Sequence, residues 1–414
     1  MINRRTLLKS GGAALALSLM PTVHAQTRGS VIVVGGGMAG ATAAKYLRMW
    51  APRLDVTLVE RSATYTSCIF SSLVLSGQRK LGDLQFNYRQ LARSYGVRVV
   101  QGEVSELDPI ARRLRLADGR QLSADRIVLA PGIEFDEVPG LVDPNRMPHA
   151  WKAGPQTTLL RNQLVAMPAG GTVILTIPKV PYRCPPGPYE RACLIADWLR
   201  VNKPRSKLLV LDANPDFVTE KDNFSRAFTQ LYANIVQYVP NAEVFSADSV
   251  TMTLDTMQGS FRGDVINLIP RQRAGQLITR AALANATEGR FAGVNVLNYE
   301  STAAPGVHVI GDSSATSQPK AGHIANQEAK VCADAIIRGF DGLAPDPAPV
   351  TNSACFSTIT MTQASWLEAV FQYDPASRLM QSVPAASGAS AGWSKDHFED
   401  MEKWFKVLMS DSYA

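Results

Sequence analysis

Residues 172–178 read as a buried strand, and the chain after them runs Lys179-Val-Pro-Tyr-Arg-Cys184-Pro-Pro-Gly-Pro-Tyr-Glu190. In a dinucleotide-binding unit, a glycine-rich phosphate loop follows such a strand. This loop has one glycine, four prolines and a cysteine. Proline has no N–H to offer a pyrophosphate and locks its own backbone. The loop therefore presents a thiol where a phosphate group would be held. That points to electron transfer through sulfur, not from a nicotinamide.

Nearer the N-terminus the phosphate loop is intact. A β-branched run at 30–34 leads into Gly35-Gly36-Gly37-Met38-Ala39-Gly40, then a helical stretch at 41–49 and a strand at 56–60 ending in Glu60. Gly35 permits the tight turn, Gly37 lets backbone approach a pyrophosphate, and Gly40 lets helix pack on strand. Glu60 can accept hydrogen bonds from a ribose diol. Met38, Ala39, Arg61 and Val104 are further candidate contacts of the same cofactor. Two later strand exits decide for a flavin there. Residues 126–132 end in Ala130-Pro-Gly132, and residues 306–312 end in Gly311-Asp312, whose carboxylate suits a ribityl chain.

These motifs divide the chain. Residues 26–150 and 265–345 are expected to form one discontinuous FAD-binding domain. Residues 151–264 form an inserted second Rossmann-like unit without its phosphate loop, and 346–414 a C-terminal part. In that part Phe398, Met401, Trp404, Phe405 and Leu408 share one face of a helix, as core, subunit contact or membrane-docking stripe. No transmembrane anchor is expected.

The first 25 residues are set aside as an export signal. Asn3-Arg4-Arg5-Thr6-Leu7-Leu8-Lys9 is a twin-arginine pattern, followed by a short apolar stretch and the small-residue end Val23-His24-Ala25. This predicts a periplasmic protein exported already folded around its cofactor. Without the leader the formal charge falls from +6 to +3, since Arg4, Arg5 and Lys9 leave and no acid does. No dense basic stripe remains, so nucleic-acid binding is not inferred.

Of the five cysteines, Cys193 and Cys332 fall on helices among apolar neighbours and read as core. An odd count leaves at least one outside any pairing. There is no Cys-x-x-Cys-His, hence no haem attached to this chain, and no metal-like Cys/His spacing. Lys320 would put positive charge near the flavin N1–C2 edge, or is an exposed loop lysine.

At this point the chain resembles the flavoprotein subunit of flavocytochrome c sulfide dehydrogenases. The likeness is carried by VVGGGMAGATAAKYL, YTSCIFSSLVLSG, PYRCPPGPYERA, HVIGDSS, QPKAGHIANQEAK and EKWFKVLMSDSYA. It implies an α/β glutathione-reductase-like fold with two dinucleotide-binding units and a C-terminal interface domain. It also implies one FAD and a separate c-type cytochrome subunit carrying the haem. By position, Cys184 and Cys355 correspond to a redox disulfide that oxidises hydrogen sulfide, and Cys68 to a cysteine bonded covalently to the flavin. Glu190 matches an acid near the disulfide, and Trp404 an aromatic residue near the flavin. The alternative for a Cys184–Cys355 bridge is a staple between insert and C-terminal part, since closing so long a loop is worth roughly 5 kcal/mol on the chain-entropy model. Glu190 could be a helix-N-terminal acid. Rival functions are a sulfide:quinone oxidoreductase, a nicotinamide-dependent disulfide reductase, and a non-catalytic flavin-stabilised sulfur carrier.

Overall fold

The computed structural model describes residues 29–414; the expected leader at 1–25 lies outside them. The chain opens with strand β1 (Ser30–Val34), helix α1 (Met38–Trp50) and strand β2 (Asp55–Glu60). β1 is buried on both faces, which explains its unbroken apolar run where an alternating pattern would mark a half-exposed strand. Two later strands, β3 (Arg98–Gln101) and β4 (Arg126–Leu129), flank this pair in parallel.

The insert follows: α2 (Pro155–Ala166), β5 (Thr172–Ile177), α3 (Gly187–Asn202), β6 (Lys207–Asp212), β7 (Val236–Val239) and β8 (Val265–Asn267). Its parallel sheet has the order β7-β6-β5-β8. One boundary read from sequence is corrected here. Residues 265–267 were assigned to the FAD domain, but Val265↔Val173 and Ile266↔Ile174 pair β8 with β5, so the insert runs through Asn267. A short strand ending in a polar residue carries no mark of which sheet it joins.

The chain then returns. β9 (Val307–Val309) pairs with β4 in parallel, giving the order β9-β4-β1-β2-β3, extended beyond β9 by antiparallel strands. Helix α4 (Gly322–Phe340) packs on α1. Both parallel sheets point their carboxyl ends at a shared crevice, where ligands of such folds bind.

A C-terminal hairpin, β10 (Val350–Thr360) and β11 (Gln363–Asp374), precedes the last helix α5 (Lys395–Tyr413). α5 buries Met401, Phe405 and Leu408 in the core of the first domain, with Phe398 and Trp404 packed against it. Its end is tied to α1 and the glycine loop, as Thr42 Oγ1 donates to Ser412 Oγ (2.9 Å) and Tyr413 OH to the Gly36 carbonyl (3.0 Å). The apolar stripe is therefore internal core. Strand β10 is tied to the insert by consecutive bonds. Ser357 Oγ donates to Glu220 and Thr358 Oγ1 to Glu190 (2.6 Å each). Tyr232 OH donates to the Ile359 carbonyl (2.6 Å), and Met361 N to Asp197 (2.8 Å). This strap fixes where Cys355 lies relative to the insert.

Candidate functional site

The glycine loop between β1 and α1 has three distinct requirements. Gly35 has φ +99°, and a Cβ there would stand 2.3 Å from the Ala130 carbonyl oxygen. A Cβ on Gly40 would stand 1.8 Å from the Gly35 carbonyl oxygen. On Gly37 a Cβ would meet only the Tyr65 ring, at 3.7 Å, because that position faces a cavity. Glu60, at the end of β2, accepts from Gly36 N (2.7 Å) and Ser62 N (2.9 Å), which holds its carboxylate at the loop.

The cavity has a volume of about 480 Å³ and runs from the glycine loop to the insert. Gly35, Gly37, Met38, Ala39, Glu60, Arg61, Cys68, Val104, Ala130, Gly132, Gly311, Asp312 and Trp404 line it. So do Cys184, Glu190 and Cys355. Gly40 does not, because it supports the loop from behind. Lys320 is not among the residues lining the cavity. Its ammonium donates to the Ser314 carbonyl (2.6 Å) and lies 3.8 Å from the Phe291 ring centroid. Its contribution to the site is its backbone carbonyl, which accepts from Cys184 N (2.6 Å).

Cys184 sits in the β5–α3 turn, with φ +59°. Positive φ is uncommon for a residue with a Cβ, and such conformations persist where the surroundings over-determine them. Here Arg183 N donates to Gln272 Oε1 (2.8 Å), Gly187 N to the Cys184 carbonyl (2.9 Å), and Tyr182 OH to the Pro185 carbonyl (3.0 Å). A Cβ on Gly187 would lie 2.9 Å from Cys184 Sγ, so glycine at this point leaves room for the thiol. Cys355 reaches the same cavity from β10, where Ser353 Oγ lies 3.9 Å from its sulfur. The two thiols are not bonded to each other in this structure. Burial raises both, Cys355 to about 11 and Cys184 well above the ordinary thiol value; Cys355 itself and Glu190 add to the rise at Cys184. A buried thiol pair of this kind is disposed to stay uncharged or to bond.

Glu190 lies one turn into α3. Its carboxylate accepts from Thr358 N (3.2 Å) and Thr358 Oγ1 (2.6 Å) rather than capping its own helix. Burial lifts it to about 7 despite those bonds, giving a group poised to exchange protons near neutrality. Cys68 lines the same cavity and accepts a long hydrogen bond from Ala153 N (3.5 Å).

The wall fits a flavin dinucleotide. Asp312 Oδ1 and the indole nitrogens of Trp151 and Trp404 are buried without a partner among the described residues, and all three residues line the cavity. Buried polar atoms are rarely left unpaired. In the insert the corresponding ribose-binding position is closed. Asp212 ends β6 as Glu60 ends β2, but its carboxylate is fully buried. It accepts from Tyr189 OH (2.7 Å), Tyr238 OH (2.8 Å), Asn214 N (2.8 Å) and Asn214 Nδ2 (2.7 Å). That acid is spent on its own domain.

Sequence reasoning missed several groups on this wall. Trp151 was read only as a domain border. Arg183 and Arg191 both line the cavity, yet drew no attention beside Cys184 and Glu190. A charged residue entering the apolar run Ala192-Cys-Leu-Ile was the available signal for Arg191. His323, which accepts from Ala354 N (3.0 Å), carried no signal. Nor did Glu328, whose carboxylate accepts from Gly311 N (2.6 Å) and steadies the Gly-Asp turn.

Two dinucleotide-type units facing one cysteine-bearing crevice define the pyridine nucleotide-disulphide oxidoreductase class, and residues 29–158 match the family of that description. Residues 157–270 match "sulfide dehydrogenase (flavocytochrome c) flavoprotein chain, central", and residues 347–413 match "flavocytochrome c sulphide dehydrogenase, flavin-binding". The sulfide dehydrogenase flavoprotein chain of Chlorobaculum thiosulfatiphilum is 52% identical over 44 residues, 11% of this chain and 92% of that sequence. The chain belongs to the flavocytochrome c sulfide dehydrogenase flavoprotein family, and it is an oxidoreductase with a flavin-binding domain. A probable ferredoxin reductase of Castellaniella defragrans is 34% identical over 116 residues, 27% of this chain and only 28% of that protein. In fold the chain is similar to the sulfide:quinone oxidoreductase of Aquifex aeolicus, with TM-score 0.75 and 17% identity over 93% of this chain and 91% of that one.

Proposed function

We propose that this chain oxidises hydrogen sulfide at the Cys184–Cys355 pair, next to an FAD attached covalently through Cys68. It then passes electrons to the haem of a separate c-type cytochrome subunit. The observation carrying this reading is that Cys184, Cys355, Glu190 and Cys68 line one cavity with the glycine loop and Asp312. Export by the twin-arginine route to the periplasm belongs to the same proposal and rests on the leader's pattern.

In its oxidised form the pair is a disulfide. Hydrosulfide attacks one sulfur, the Cys–Cys bond breaks, and the attacked cysteine becomes a persulfide while the other leaves as a thiolate. A second hydrosulfide attacking the persulfide's outer sulfur releases a two-sulfur anion and leaves the cysteines reduced. Glu190, held by Thr358, takes and returns the protons of these steps. A bound FAD would supply a two-electron acceptor for the reduced cysteine pair and a one-electron donor for a haem. Gly35, Gly37 and Glu60 would hold its dinucleotide portion, and Asp312, Trp404 and Cys68 its flavin portion.

A quinone acceptor is the rival from the same chemistry. The membrane-docking surface it requires had one sequence candidate, the apolar face of α5, and that face is buried in the core of the chain. No helix among the described residues is long and apolar enough to cross a membrane. The test is anaerobic addition of sulfide to the FAD-loaded chain, followed by an oxidised c-type cytochrome. The reading expects the flavin band to bleach and then return as haem is reduced. A flavin that stays oxidised under sulfide overturns it.

A further inference from the structure

We infer that Arg183 receives the substrate as the hydrosulfide anion and holds it beside Cys184. The inference rests on the sulfide-oxidising reading above and adds the group that selects the charged form.

The loop backbone at Arg183 is held in place: its own N–H is bonded to Gln272 and the next N–H to the Lys320 carbonyl, so the Arg183 side chain starts from a fixed point next to Cys184. The side chain is half-buried and lines the cavity. Its guanidinium makes one hydrogen bond among the described residues, from one terminal nitrogen to the Trp151 carbonyl. A guanidinium has five N–H donors, so most of these remain available to an anion. No carboxylate lies within ion-pair distance of it among the described residues.

A second cation deepens the effect. Arg191, one turn into α3, is 1% exposed and also lines the cavity. Its donors are engaged by neutral acceptors: Ala150 O (2.9 Å), Asn267 Oδ1 (3.0 Å), His149 O (3.3 Å) and Ser72 Oγ (3.3 Å). The two guanidiniums share the Trp151 ring, with their central carbons 4.6 Å and 6.0 Å from its centroid. Burial moves Arg191 down only to about 10, so it stays charged at neutral pH. Of the acids lining the same cavity, Glu134 is paired with Lys152 (2.8 Å), Glu60 is held at the glycine loop by Gly36 N and Ser62 N, and burial lifts Glu190 to about 7. Two guanidiniums that make no ion pair with a carboxylate among the described residues attract a small monovalent anion. Arg191 supplies field from behind, and Arg183 supplies free donors at the surface. A hydrosulfide drawn there is delivered to the neighbouring sulfur as the nucleophile that thiol–disulfide exchange needs.

The test follows anaerobic flavin bleaching against sulfide concentration in the FAD-loaded full chain, using wild type, Arg183→Gln and Arg183→Lys. Removing a charge-assisted donor should raise the half-saturating sulfide concentration of Arg183→Gln about tenfold or more, with a nearly unchanged limiting rate. Arg183→Lys should recover most of that loss. Azide, an unreactive monovalent anion, should compete with sulfide in wild type and not in Arg183→Gln. An unchanged half-saturation in Arg183→Gln overturns the inference. So does failure of azide to compete in wild type, a result that stands even if Arg183→Gln cannot hold FAD. Wild-type flavin that never bleaches with sulfide would instead remove the underlying functional reading.

Discussion

Replacing Glu190 by Gln keeps the volume and the acceptor oxygen for Thr358 N and Thr358 Oγ1 but removes the titration. In the folded chain burial lifts this carboxyl from 4.5 to about 7. The folded state therefore holds the proton more tightly than the unfolded one. Its contribution to stability is complete below the unfolded value and is lost as pH rises through about 7. At 1.36 kcal/mol per pKa unit, ionising the buried group costs the fold roughly 3 kcal/mol. Glu190→Gln should thus gain on wild type by roughly that amount between about pH 4 and about pH 8. Denaturant midpoints of the FAD-loaded protein across this range measure the difference. In the same variant, flavin reduction compared at a fixed concentration of the hydrosulfide anion at each pH, so that ionisation of the substrate itself drops out, should lose the rising limb expected of wild type through about pH 7, because no base remains to be unmasked. Parallel stability curves for the two proteins would refute the assignment of a raised carboxyl, and a retained limb would refute its role in proton exchange.

Other outcomes follow from the same geometry. Cys68→Ala should release its flavin into the supernatant on acid precipitation, whereas wild type should keep it with the protein; free flavin from wild type would remove the covalent link. Gly37→Ala should fold, since its Cβ meets nothing closer than 3.7 Å, yet hold FAD weakly. Gly40→Ala should fail to fold normally, with its Cβ 1.8 Å from the Gly35 carbonyl oxygen. Circular dichroism and flavin content separate the two cases, and equal behaviour would contradict the loop analysis. Tyr232→Phe removes one bond from the strap under Cys355 and should cost about 1 kcal/mol in denaturant unfolding. NADH should not bleach the flavin, because Asp212 is enclosed by Tyr189 and Tyr238; rapid bleaching would show a working nicotinamide site.

Much of the fold was legible because its signals are local. The glycine loop, the acid closing β2 and the proline-rich turn after β5 each lie within a few residues of the strand that explains them. The stripe on α5 also showed its period, but not its destination in the core of the first domain. What stayed hidden depends on contacts between distant segments. β8 belongs to the insert because of a pairing with residues about ninety positions earlier. Lys320 read as a charge for a flavin edge or an exposed loop lysine, and neither reading anticipated that its side chain meets Phe291 and Ser314 while its carbonyl holds Cys184. Arg183 and Arg191 acquire meaning only when the Trp151 segment folds over them, which no spacing along the chain reveals.

The central claim is that sulfide's electrons enter through the two cysteines that share the cavity. Anaerobic titration of FAD-loaded Cys184→Ser with sulfide, followed in the flavin absorbance band beside wild type, tests it most directly. The account predicts full FAD content in both proteins, bleaching in wild type and an unbleached flavin in the variant. Reduction of the variant at the wild-type rate would contradict it.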